Sequence, residues 1–168
     1  MKKTAHYRYG FTLIEIMVVV VIMGILAAVA VPRLFGLIAK AKASEVPVAA
    51  GAYIKLQDAR VTEFTSIGNW TQIGYAAPGD GKTNNFCYSQ GAIQDSILLD
   101  NLKEKLIGWG ASNLANLNEC NSGNWWTLSI KSDGEHSLEY TRGLTSLDCT
   151  ALTSNWDIAT SPGISCIR

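Results

Sequence analysis

Apolar residues are distributed along this chain in three different ways. From Ile16 to Val31 every residue is apolar or glycine, and over residues 11–31 only Thr12 and Glu15 are polar. A helix of that length is about 30 Å long, enough to cross the hydrocarbon core of a bilayer. From Arg33 the run gives way to helical spacing. Val46, Ala50, Ile54, Val61 and Phe64 recur on one face, with Lys42, Lys55, Asp58 and Glu63 left for water. One rod to about Phe64 is predicted, weakened at Gly24, Pro32, Gly36, Pro47 and Gly51. The last third alternates: Trp126, Leu128 and Ile130 share a face, Asp133-Gly134 makes a turn, and Leu138 and Tyr140 follow, which predicts a β-hairpin. "SNWDI" at 154–158 adds a further strand. The stretch between, 66–124, is rich in Gly, Asn, Ser and Asp and reads as a long connection with a short helix near Ile93–Leu106.

The predicted fold class is therefore α+β: a long N-terminal helix whose outer half covers a small antiparallel sheet. The organisation that follows is a basic leader at 1–10, an apolar helix at 11–33, an amphipathic continuation at 34–65 and a globular head at 66–168.

Charge sharpens the first segment. The chain carries 14 basic and 14 acidic residues, but "MKKTAHYRYG" holds three of the basic ones and no acid. Lys2, Lys3 and Arg8 place the start of the chain in the cytoplasm and residues 33 onward outside. Glu15 is the anomaly. A carboxylate entering hydrocarbon costs several kcal/mol, and no basic residue follows it until Arg33, about 27 Å along the helix. A partner in its own helix is excluded. A cut between Gly10 and Phe11 would create an α-amino group, which on a staggered neighbouring copy could reach Glu15.

A short basic leader ending in Gly10, then "FTLIE", then an apolar run ending "AAVAVPRL" closely resembles the class III signal of type IV pilins and type II secretion pseudopilins, over about residues 1–40. The resemblance implies cleavage after Gly10 by a prepilin peptidase that also acts as N-methyltransferase, with Phe11 as the methylated N-terminus. It implies assembly roles for Phe11, Glu15 and Pro32, and Gly24, a helix-weakening residue inside the apolar run, is added to them as a site where neighbouring helices pack. It also implies the pilin fold, an inner-membrane precursor and monomer pool in membrane lipid, an assembly platform, and a homo-oligomeric helical filament at the cell surface.

Cys87, Cys120, Cys149 and Cys166 lie in the exported half, and an even count there reads as two disulfides with three pairings open. Their spacings of 33, 29 and 17 positions are unlike a zinc motif. The resemblance favours a C-terminal loop closed by Cys149 and Cys166, which leaves Cys87 with Cys120. His6 belongs to the leader, so His136 stands alone. "GDGKTN" at 79–84 lacks the spacing of a phosphate loop. Asp133, Glu135, Asp148 and Asp157 match no calcium loop. Catalytic residues, metal and cofactor are all expected to be none. Trp125, Trp126 and Trp156 are the candidates for surface stacking on a glycan, and DNA as a partner stays open.

Three functions fit: the major subunit of a type IV pilus for adhesion and motility, the major pseudopilin of a type II secretion system, and a membrane-tethered carbohydrate-binding module.

Overall fold

A computed structural model describes residues 10–134 and 136–166. The basic leader before Gly10, with Lys2, Lys3, His6 and Arg8, lies outside the described residues, as does Glu135. The chain divides into two compact units, Met1–Leu37 and Ile38–Arg168.

In the first unit the apolar run forms helix α1, whose full extent is Leu13–Ala43 and which contains Pro32. Every large aliphatic or aromatic side chain from Phe11 to Leu37 is exposed. The helical stretch Leu13–Phe64, of which it is the first part, is long and apolar enough to cross a membrane.

In the second unit, α2 runs from Glu45 to Phe64. The interruption between the helices falls at Ser44, one turn before the proline expected to cause it. Pro47 has no N–H to give the carbonyl of Ala43, four residues back, and it sits instead in the first turn of α2, where that loss is tolerated. The Ser44 hydroxyl donates to the Ala41 carbonyl at 2.7 Å. Thr65 ends α2 in the left-handed conformation, its N–H on the Val61 carbonyl.

The buried face of α2 is Val46, Ala49, Ala50, Tyr53, Gln57 and Val61. Phe64, assigned to that face by spacing, is 54 % exposed. Gln57 is the polar residue that periodicity passes over. Its amide donates to Tyr53 Oη and the Gly68 carbonyl, and accepts from the Gly68 N–H, so all of its burial is compensated.

Five strands make the main sheet: β2 (Phe86–Ser89), β4 (Leu106–Asn113), β5 (Trp125–Ser132), β6 (Leu138–Leu144) and β7 (Asp157–Ile158), hydrogen-bonded in that order. All neighbours are antiparallel except β6 and β7, which are parallel. A separate pair joins β1 (Ser66–Ile67) to β3 (Ile97–Leu98). The β5–β6 hairpin is the one the alternation predicts, with Trp126, Leu128 and Ile130 at 0 % exposure. Together with Phe86, Tyr88, Trp109 and Leu144 they form one core with the inner face of α2.

The middle of the chain differs from expectation. No α-helix forms over 93–106. Ile97 and Leu98 pair with β1, three residues (Leu99–Asn101) turn as a 3-10 helix, and Leu106 already begins β4. Bonds from elsewhere divert the backbone: the Leu99 N–H goes to the Thr65 carbonyl, and Asp95 accepts from the Ser96 N–H and from Gln72. Strands β2 and β4 lie inside the stretch read as connection. In β4 the glycines that suggest a loop are close-approach sites: a Cβ at Gly108 would lie 2.4 Å from Tyr53 Oη, and one at Gly110 would lie 2.6 Å from Ile164 Cδ1.

The disulfides join Cys87 to Cys166 and Cys120 to Cys149, in place of the expected Cys149–Cys166 and Cys87–Cys120. The physical reason is strand alternation. Phe86 and Tyr88 take the core side of β2, so Cys87 faces the other way, whereas Cys120 and Cys149 both lie in the core.

Two tyrosines of the sheet tie it to α2. Tyr88 Oη donates to Glu45 Oε1 at 2.5 Å, and Tyr140 Oη to Asp58 Oδ1 at 2.7 Å. Burial, then the carboxylate acceptors, push both phenols well above their ordinary value. Burial likewise raises Tyr53, and pushes Tyr75 up to about 12.

Two outcomes are expected. The chain has six tyrosines, and a cut after Gly10 leaves these four. Phenolate absorbance of the cut chain should stay flat through about pH 10, where free tyrosine titrates. A pKa raised on folding contributes stability that is full below the unfolded value of about 10 and is lost as pH rises above it, so these four phenols should weaken the head on that alkaline side. Glycine substitutions should diverge in sign. Gly91 has φ +70 and a Cβ there would lie 2.1 Å from the Ile107 carbonyl oxygen, so Gly91→Ala should lower the melting temperature by on the order of 10 °C. Gly51 in α2 meets open space, so Gly51→Ala should stabilise by about 0.5–1 kcal/mol. Thermal unfolding of the detergent-solubilised chain checks both.

Candidate assembly segment and head surface

The first turn of α1 explains part of what Glu15 does. A helix start leaves N–H groups without partners. Thr12 is the residue before Leu13, the first of the helix, and Glu15 is the third residue in. Glu15 Oε2 accepts from the Thr12 N–H at 2.8 Å and from Thr12 Oγ1 at 2.6 Å, while the Glu15 N–H donates to Thr12 Oγ1 at 3.3 Å. This is a reciprocal capping box, and "TLIE" carries its signature. Sequence reasoning singled out Glu15 and missed Thr12. Both side-chain contacts converge on Oε2, and the second carboxylate oxygen takes no part in them. The box thus leaves one Glu15 oxygen free of Thr12.

Around the box, Gly10 and Phe11 are exposed, Phe11 by 83 %. A Cβ on Gly24 would meet nothing within 4 Å. The helix of one chain thus places no demand for glycine there, and any such demand comes from what packs against it. Pro32 removes one hydrogen bond from the interior of α1.

The tryptophans are placed differently from the expectation of a surface set. Trp126 is fully buried, its Nε1 donating to Thr153 Oγ1 at 2.8 Å, and Trp156 is packed against Trp109 with ring centroids 6.5 Å apart. Neither can present a stacking face to a ligand. Trp125 is half-buried on the opposite face of the sheet from Trp126, as alternation requires. Trp109 donates to Tyr75 Oη at 2.9 Å and is likewise interior. His136 is exposed, in the left-handed conformation in the hairpin loop. Among the described residues no three His, Cys, Asp or Glu side chains gather as metal ligands, and Asp133, Asp148 and Asp157 do not converge.

An apolar helix with a capped, acidic first turn, carried on an α+β head with two disulfides, defines a class of exported subunits. The comparisons with known proteins narrow it. Residues 6–31 match the prokaryotic N-terminal methylation motif. The chain is 32 % identical over 135 residues to fimbrial protein EcpC of Eikenella corrodens, covering 76 % of this chain and 86 % of that one. It is 36 % identical over 106 residues to the type IV major fimbrial protein FimA of Dichelobacter nodosus, covering 58 % and 68 %. It is 43 % identical over 74 residues to the type IV major pilin PilE1 of Neisseria gonorrhoeae, covering 41 % and 42 %. The chain belongs to the type IV pilin family. Its role is that of a structural, non-enzymatic subunit of the type IV pilus or pseudopilus kind, processed by a peptidase and methyltransferase, with a membrane-associated precursor stage and a filament stage.

Proposed function

We propose that this chain is the major subunit of a type IV surface pilus that serves attachment and motility. The observation that carries the reading is the continuous exposure, among the described residues, of large apolar side chains from Phe11 to Leu37. Left in water, such a surface is strongly unfavourable, at roughly 25 cal/mol per Å². Lipid covers it in the precursor; in the filament, identical helices do. A head-to-tail repeat of this kind does not close, so it gives a helical polymer. The chain's relatives include proteins named as major pilins and major fimbrial proteins, which favours the major over a minor subunit.

In this scheme the chain is cut after Gly10 and methylated on Phe11, and the new α-amino group of one copy meets Glu15 of its neighbour as the helices stagger. The capping box holds the Glu15 carboxylate at the helix end, and the incoming cation neutralises it in register. Out of register it remains an uncompensated charge in an apolar bundle. Gly24 gives a thin helix surface where neighbouring rods approach, and Pro32 allows the rod to bend. An inner-membrane assembly platform lifts each subunit out of the lipid. Leader, apolar rod, amphipathic continuation and head divide the work at residues 1–10, 11–33, 34–65 and 66–168.

Glu15→Gln separates capping from charge. Glutamine satisfies the same box but carries no charge. In cells lacking the wild-type subunit, Glu15→Gln and Glu15→Ala should both lower the yield of sheared filaments by about tenfold or more, since each 1.4 kcal/mol lost per added subunit is tenfold in the equilibrium. Head folding and disulfide formation should be unchanged. A normal yield from Glu15→Gln with a low one from Glu15→Ala would make Glu15 a helix cap and nothing more.

A further inference from the structure

The two disulfides sit in opposite environments. Cys120 and Cys149 are both 0 % exposed and belong to the core. Cys87 is 2 % exposed, but its partner Cys166 is half-buried, and every residue from Asp157 to Cys166 is exposed or half-buried.

The path of that last segment follows from its contacts. β7 lies beside β6 at Gly143 and Leu144, and the Ala159 N–H donates to the Leu144 carbonyl at 2.9 Å. Ile164 then lies over Gly110 of β4, and Cys166 reaches Cys87 on β2, the far edge of the sheet. Ser89, Gly110, Thr127 and Gly143 are successive register partners across four strands. The segment crosses this row on the face turned away from the core. The row is small where the strap rests: a Cβ on Gly143 would lie 2.7 Å from Ala159 Cβ, and one on Gly110 would lie 2.6 Å from Ile164 Cδ1 and 3.2 Å from the Trp125 ring.

What holds the strap is slight apart from the covalent bond. Among the described residues, Thr160–Ser165 make no hydrogen bond. Ala159 and Ile164 rest over the two glycines of the row. Along one side of the strap runs an open groove of about 600 Å³, bounded by the 89–94 loop, with Cys166 in its wall. A small thiol therefore has a path to this disulfide and none to Cys120–Cys149.

We propose that Cys87–Cys166 is a reversible clasp: a dithiol reductant opens it in the folded head, the strap at 160–166 lifts, and the Ser89–Gly110–Thr127–Gly143 row with the flank of Trp125 is uncovered. A thiolate of the reductant attacks Cys166 Sγ, forming a mixed disulfide and releasing Cys87 as thiolate. The reductant's second thiol displaces Cys166, leaving two protein thiols and one oxidised dithiol, a transfer of two electrons and two protons. Cys120–Cys149 keeps the loop after β4 attached to the core throughout. The inference is independent of which filament the chain builds.

The test uses the full chain in detergent, treated with dithiothreitol under native conditions, then alkylated with iodoacetamide and mapped by mass spectrometry. Cys87 and Cys166 should be labelled at least about tenfold faster than Cys120 and Cys149. Amide exchange should rise over 160–166 while β5 stays protected, and acrylamide should quench Trp125 more strongly. Labelling of all four cysteines together, or loss of β5 protection with the first bond, would overturn the proposal. The double variant Cys87→Ser, Cys166→Ser should unfold cooperatively with the strap amides already exchanging. Failure of that variant to fold would overturn the proposal too, because an opened clasp must leave the head intact.

Discussion

The apolar surface of residues 11–37 has to be covered, and among the described residues of that unit nothing covers it. That constraint orders the rest of the molecule. Burial of apolar area is non-directional, so it supplies cohesion in lipid and in a bundle of copies alike, and cannot by itself choose a register. In the assembly we propose, the single carboxylate in the run supplies the choice. Glu15 is held at the helix end by two hydrogen bonds from Thr12. A cation presented at one axial offset can then be distinguished from every other offset.

The head answers a different constraint. It must be stable outside the membrane while sharing its cover, α2, with a rod whose apolar surface looks elsewhere for partners. Its core joins large aromatics of the sheet, Trp126, Tyr88 and Trp109, to Val46, Ala49, Ala50 and Tyr53 of the helix in one cluster. Polar atoms that this packing buries are paired: Gln57 with Tyr53 and Gly68, Trp126 with Thr153, Trp109 with Tyr75. Long loops between strands carry a large conformational entropy in the unfolded chain, and two disulfides spanning 79 and 29 positions reduce it.

Legibility in the sequence followed the strength of each periodic signal. The rod was readable because apolar residues continue without interruption from Ile16 to Val31, and the β5–β6 hairpin because Trp126, Leu128 and Ile130 alternate cleanly. β4 was not, because Gly108 and Gly110 are there for what crosses above and below them, Tyr53 on one side and Ile164 on the other, and neither neighbour is local in sequence. The helix expected over 93–106 failed for a related reason: the bonds that redirect it come from Thr65 and Gln72. Cysteine pairing depended on which side of β2 Cys87 faces, and so on a strand hidden among turn residues. In the assembly segment, Glu15 drew notice as an isolated charge, while Thr12 passed unnoticed although "TLIE" is a complete cap signature. The tryptophans show the limit of composition: all that alternation gives is that Trp125 and Trp126 part ways, and burial of Trp156 is set by Trp109.

The most direct measurement is quantitative mass spectrometry of the filament fraction sheared from intact cells. The account predicts one dominant chain that begins at N-methylated Phe11 and carries all four cysteines oxidised. A processed chain absent from that fraction and retained in the envelope would contradict the surface-pilus reading and favour a pseudopilin, and a chain still beginning at Met1 would contradict processing and assembly together.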